Sequence, residues 1–162
     1  MSASCFAAWN ASTSDLTAPM TGTATSATSG TVKTILQIQA PANSKIRIIE
    51  WGYIVTATPA APVQYELLTT DVGATVTSGT VLNYNDSTGP ASQCTTGYNA
   101  SAEGTITDSR LLAQTFDQGT YFKQQFPLGR EPEVKQGGFL RIRATPSSAA
   151  AATVIAYAIW EE

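Results

Sequence analysis

From residue 32 onward, apolar and polar side chains alternate in short segments separated by turn residues, the pattern of an all-β sandwich or barrel. Val32 to Gln39 sets Thr34, Leu36 and Ile38 on one face and Lys33, Gln37 and Gln39 on the other, and Pro41-Ala-Asn-Ser44 ends it. This is a half-buried strand followed by a turn. Lys45 to Val55 starts with Ile46 and Ile48 inward, then changes phase so that Ile49, Trp51, Tyr53 and Val55 share a face. A one-residue slip of this kind predicts a β-bulge near Ile48 to Glu50, or a strand that passes from one sheet environment to another. Val63, Tyr65 and Leu67 alternate with Gln64 and Glu66 in a further strand. Thr105 to Phe116, Thr120 to Phe126 and Phe139 to Thr145 follow, the last with Leu140 and Ile142 inward and Arg141 and Arg143 outward.

Thr153 to Trp160 is apolar on both faces, which predicts a strand buried on two sides, either central in a sheet or at a subunit contact. Residues 71–104 are rich in Gly, Ser, Thr and Asn and show one strand fragment, Thr80 to Tyr84. A structureless loop of that length is unusual in a compact domain, so it carries either hidden short strands or a contact loop. Residues 1–31 lack any regular period, hold one formal side-chain charge, Asp15, and beyond Met1 have Phe6, Trp9, Leu16 and Met20 as their apolar anchors. They read as an extended arm, either disordered or anchored by Phe6 and Trp9 on a neighbouring surface. Ala149 to Ala152 alone is too short to hold a helix in water. The expectation is an all-β, two-sheet, jelly-roll-like sandwich of about eight strands over residues 32–162, preceded by the arm.

Composition narrows the chemistry. The chain has 162 residues, enough for one domain with a real core. Charged residues make up 13 %, against about 25 % in ordinary domains. The difference is taken up by 24 Thr, 14 Ser and 24 Ala, side chains that suit pleated sheets better than helices. A net charge of −3 with scattered Lys and Arg lacks the basic footprint of a nucleic-acid binder. No apolar run approaches the roughly 18–20 residues of a membrane-spanning helix, and no charged start followed by an apolar stretch marks a secretion signal.

The sequence has no histidine, which removes His-based general bases and the commonest zinc ligand together. Cys5 and Cys94 have no metal-ligand spacing; they read as two free thiols, with a long-range disulfide as the other option. Asn10, Asn85 and Asn99 begin N-glycosylation acceptor patterns of the kind that arise by chance in a chain this rich in Ser and Thr. Glu50, Glu66, Asp71, Glu103, Asp108, Asp117, Glu131 and Glu133 are the carboxylates open to two-carboxylate glycosidase chemistry, but no two stand at an interpretable spacing. They read as solvated strand faces and turn ends, so no catalytic residue, cofactor or metal ligand is assigned. Trp51, Tyr53 and Tyr65 read as core rather than as a sugar-binding face. Gln125-Phe-Pro-Leu-Gly-Arg-Glu-Pro-Glu-Val134 reads as a rigid corner with Phe126 and Leu128 as core plugs and Arg130 in a carboxylate pair, with a docking loop as the alternative.

Four segments carry a family resemblance: Lys45-Ile-Arg-Ile-Ile-Glu-Trp-Gly52, Gly97-Tyr-Asn-Ala-Ser-Ala-Glu-Gly104, the Gln125 to Glu133 corner and the terminal Trp160-Glu-Glu. From about residue 32 to its end the chain resembles small head decoration, or cement, proteins of tailed bacteriophages that infect actinobacteria. The resemblance implies a non-enzymatic virion protein, commonly a homotrimer, on the outer surface of the capsid and in contact with the major capsid protein. Such a binder needs contact area rather than an active site, and three attached protomers multiply weak contacts. Phe6, Trp9, Leu16, Met20, Arg130, Tyr157 and Trp160 are the candidate contact residues, with Thr153 to Trp160 near the symmetry axis and residues 1–31 reaching along the shell. A carbohydrate-binding β-sandwich is the competing expectation. It requires two or three aromatics exposed on one face, whereas a decoration protein buries Trp51 and Trp160 and exposes aromatics only at chain-to-chain contacts.

Overall fold

The computed structural model describes residues 4–10, 25–28, 30–147 and 152–162. Its strands are β1 (Cys5–Trp9), β2 (Thr25–Ala27), β3 (Lys33–Gln39), β4 (Ile46–Val55), β5 (Val63–Thr70), β6 (Thr75–Ser78), β7 (Leu82–Asn83), β8 (Thr95–Ala102), β9 (Ser109–Asp117), β10 (Tyr121–Gln125), β11 (Glu133–Val134), β12 (Phe139–Pro146) and β13 (Ala152–Glu161). They form two antiparallel sheets packed as a sandwich. The seven-stranded sheet runs β10-β4-β13-β1-β7, with β11 also on β4 and β2 also on β13; the six-stranded sheet runs β6-β8-β3-β12-β5-β9. No two consecutive strands pair among the described residues. Every ladder therefore closes a long loop, and the chain crosses between sheets in jelly-roll fashion.

The phase slip in β4 is a bulge. Ile159 of β13 pairs with Glu50 and Trp160 with Ile48, leaving Ile49 as the extra residue. Beyond it Trp51, Tyr53 and Val55 face the core, as expected. Ile49 does not join them; it packs on the opposite face with Ala7, Tyr157 and Ile159. A second bulge, in β3, leaves Ile35 unmatched between Thr34 and Leu36, so that Ile35, Leu36 and Ile38 are all buried. Between the sheets the aromatic rings interlock. Tyr53 stacks on Tyr65 at 3.8 Å, Trp51 lies 5.2 Å from Phe122, and Phe6 lies 6.2 Å from Trp160. Burial pushes the Tyr53 phenol up to about 12.

Three expectations need correction. The N-terminal segment is not an arm standing off the domain: β1 lies between β13 and β7, with Phe6 1 % exposed, and β2 continues along the same edge of β13. Lack of period did not prevent this, because both faces of β1 are packed: Phe6 and Ala8 in the core between the sheets, Ala7 in the cluster on the opposite face. Arg141 does not point into solvent. It is fully buried and donates to the Glu103 and Val72 carbonyls and to the Glu103 carboxylate, which also receives the Thr34 amide and hydroxyl. Leu128 is not a core plug; it is 97 % exposed, while Phe126 packs against the core. The 71–104 stretch resolves into the short strands β6 and β7 and the longer β8. β13 is central, paired on both sides.

Candidate interaction surface

The outer face of the seven-stranded sheet brings the candidate residues together. Register places Tyr157 of β13 between Gly52 of β4 and Trp9 of β1. The Trp9 and Tyr157 rings lie 4.7 Å apart, tilted by 30°. Gly52 is required for this packing, since a Cβ there would come within 2.6 Å of the Tyr157 ring and 2.5 Å of the Phe122 carbonyl. Cys5, Ala7, Ile49 and Ile159 extend the apolar cluster.

The β4 bulge also turns Glu50 onto this face, where it is 8 % exposed. Its carboxylate accepts the Tyr157 hydroxyl at 2.6 Å and pairs with Lys123 at 3.3 Å. A carboxylate this deep in apolar surroundings is tolerable because both partners are charged or polar donors. Burial, reinforced by the Glu50 hydrogen bond, pushes the Tyr157 phenol well above its ordinary range, so it remains a donor. Toward β10 the face ends in a cross-strand row of Tyr121, Ile54 and Ile155, with Tyr121 64 % and Ile54 42 % exposed.

Toward β7 the same face opens into a groove of about 650 Å³ lined by Ala7, Trp9, Leu82, Tyr84 and Pro90 among others. Its far wall is a built loop. The Asn83 amide donates to the Pro90 carbonyl and accepts the Asn85 and Asp86 N–H groups, and Asp86 accepts the Thr88 amide and hydroxyl. Below it the Glu162 carboxylate holds the Gln93 amide and the Ser92 hydroxyl, tying the C-terminus to the loop. Cys94 is buried beside this carboxylate, and burial raises its thiol; Cys94 and Cys5 are both free.

Of the seven expected contact residues, Phe6 and Trp160 are core side chains at 1 % and 0 % exposure and present nothing to a partner. Tyr157 lies at the centre of the outer face but is 7 % exposed, covered by its neighbours there, and Trp9 lies partly exposed at the lip of the groove. Arg130 is exposed on the corner, where Gly129, at a φ of 79°, lets the Arg130 amide reach the Pro127 carbonyl. The carboxylate pair expected for Arg130 is not formed among the described residues. Leu16 and Met20 lie outside the described residues. The exposure of Tyr84, Tyr121 and Ile54 leaves no mark in the sequence, because it is decided by what packs beside each side chain; Glu50, weighed only as a carboxylate, had a signal in the phase slip.

The carboxylates weighed for catalysis are dispersed. Glu66 pairs with Arg143 at 2.9 Å, Glu133 with Lys45 at 3.0 Å and Asp108 with Lys135 at 3.7 Å. Asp71 caps the Thr107 and Asp108 amides, and Asp117 caps Gly119. Asn10 is buried and bonded through its side chain to Val154 and Ala156, so its acceptor pattern is closed to a glycan. No helix of the described residues is long and apolar enough to cross a membrane. No protein-family model matches the sequence, and no curated protein matches it.

Proposed function

We propose that the protein is a non-enzymatic capsid decoration protein, binding the major capsid protein on the outside of a phage head as a homotrimer and stabilising the shell. One observation supports this reading above the others. The outer face of the seven-stranded sheet carries contiguous apolar side chains from the exposed Tyr121 and Ile54 across the partly exposed Ile155 and the buried Tyr157 to the partly exposed Trp9, while Trp51 and Trp160 lie in the core. A flat apolar face interrupted by one satisfied carboxylate is suited to burying area against a neighbour. Fold alone does not imply this function; the motif resemblance supplies the partner.

Removing residues 1–31 would take β1 and β2 out of the sheet and so test folding rather than contact. Asn10 bonds to β13 at Ala156 and Thr25 pairs at Val154. Two strand residues span roughly 7 Å, so a short Gly/Ser linker replacing residues 11–24 closes the chain without disturbing either strand. That variant and the double substitution Ile54→Ser, Tyr121→Ser are each measured for binding to undecorated heads. Loss of affinity in either is expected; full affinity in both removes the reading. Light scattering that finds a monomer at all concentrations removes its trimeric part.

The groove favours a second reading, a carbohydrate-binding module. Trp9 and Tyr84 line it together, Tyr84 is 63 % exposed, and no charged side chain contributes to its wall. Aromatic planes with neutral polar neighbours are the surface that stacks on sugar rings. Glycan-array binding that is lost in Tyr84→Ala, without affinity for heads, reverses the ranking.

A further inference from the structure

The six-stranded sheet ends in β9, a nine-residue strand that among the described residues is bonded to β5 along one edge only. An edge of about 30 Å with free backbone donors and acceptors is a template for another strand. Its side chains are also unusual for an edge: Leu111 is 50 % and Phe116 64 % exposed. Arg110 and Asp117 stand near its two ends, both exposed, and neither forms an ion pair with a described residue.

The bulge at Leu112 makes this pattern self-complementary. Ala113 pairs with Leu67 and Leu111 with Leu68, so Leu112 is extra. Five residues apart in a regular strand, Leu111 and Phe116 would face opposite ways; the extra residue returns them to the same face. Their β5 partners show this directly, since Leu68 and Gln64 are four apart in an unbulged strand. By the same rule Arg110 and Asp117, opposite Thr69 and Val63, share the other face.

We propose that β9 pairs antiparallel with the β9 of a second copy of this chain about a two-fold axis through Gln114. In this register Leu111 faces Phe116 of the other copy, Arg110 faces its Asp117, and each contact occurs twice, as an isologous interface requires. Ala113 then faces Thr115 and Gln114 faces its own counterpart, with each Leu112 the extra residue between the Leu111 and Ala113 pairs, so facing residues share one side of the sheet and the two bulges do not meet. One strand pair buries much less than the roughly 1,200–2,000 Å² of a standard stable interface, so the contact is weak and concentration-dependent. The inference does not depend on the capsid reading, because a two-fold contact doubles whatever species is present, monomer to dimer or trimer to hexamer.

Sedimentation equilibrium up to about 1 mM, a range set by the small contact, tests it with charge reversal. Arg110→Asp alone and Asp117→Arg alone each place like charges at both ends and are expected to weaken the doubling step by about tenfold or more. The double variant Arg110→Asp, Asp117→Arg recreates both pairs with signs exchanged and is expected to recover most of it. All four positions are exposed, and the double variant also serves as the folding control. No doubling of the parent protein over this range overturns the proposal, as does doubling that both single reversals leave unchanged or that the double variant fails to recover.

Discussion

β1 and β9 occupy opposite positions in their sheets and carry opposite side-chain patterns. β1 has five residues of weak β character and no alternation, yet it lies inside the larger sheet with its three central residues buried. β9 has nine residues and ends its sheet, with most of its side chains exposed. Place in a sheet is thus not set by the strength of a local pattern. β1 is held by what flanks it: Phe6 against Trp160 within the core, Trp9 against Tyr157 on the outer face, and Asn10 bonded to β13 just beyond. β9 has β5 on one side and, among the described residues, no strand on the other.

This contrast is open to direct attack. Phe6→Ala is expected to cost about 3–5 kcal/mol in urea unfolding, the range for emptying a buried aromatic site; a loss below about 1 kcal/mol, the scale of ordinary surface changes, would show that β1 is peripheral after all. Asn10→Ala is expected to cost about 1–3 kcal/mol, since it strips the Ala156 amide of its acceptor within a buried ladder. Leu111→Ser and Phe116→Ser, at the open edge, are expected to change stability by less than about 0.5 kcal/mol each while altering self-association.

The smallest effect concerns how β9 is launched. Asp71, partly exposed, is lowered to about 2, first by the Thr107 hydroxyl and then by the Asp108 amide. A depressed folded value means that its contribution is complete above the ordinary value of 3.8 and is lost as pH falls toward 2. NMR titration of the Asp71 carboxyl is expected to show a midpoint near 2, and Asp71→Asn to remove the acid-dependent protection of the Asp108 amide. A midpoint near 4 would show that this cap is not formed in solution.

Much of the sandwich was legible from alternation. The β4 phase slip located the bulge within one residue, because a bulge leaves its mark in the period itself. β5, β12 and β13 were also visible, since one or both of their faces are packed against apolar neighbours. The places where reading failed share a cause. Arg141 has the outward phase of a solvated residue, but Glu103 and two carbonyls converge on it from segments far away in sequence. Leu128 has the character of a core residue and sits on a turn tip. The candidate surface was legible only in part: Tyr157 and Trp9 stood out as aromatics, while Tyr84 and Tyr121 gained their exposure from the way the β7 and β10 edges were left uncovered.

By itself, the sequence determined the sheet-forming class, the inward set of most strands and the absence of histidine chemistry. These follow from composition and from a period of two, which are properties of neighbours along the chain. Pairing was decided only by the tertiary structure. Among the described residues no consecutive strands meet, so every register, the inclusion of β1, the burial of Arg141 and the open edge at β9 depend on residues brought together across long loops. A one-dimensional pattern says which way a side chain points relative to its own strand; which surface it then meets is settled when the two sheets close over each other.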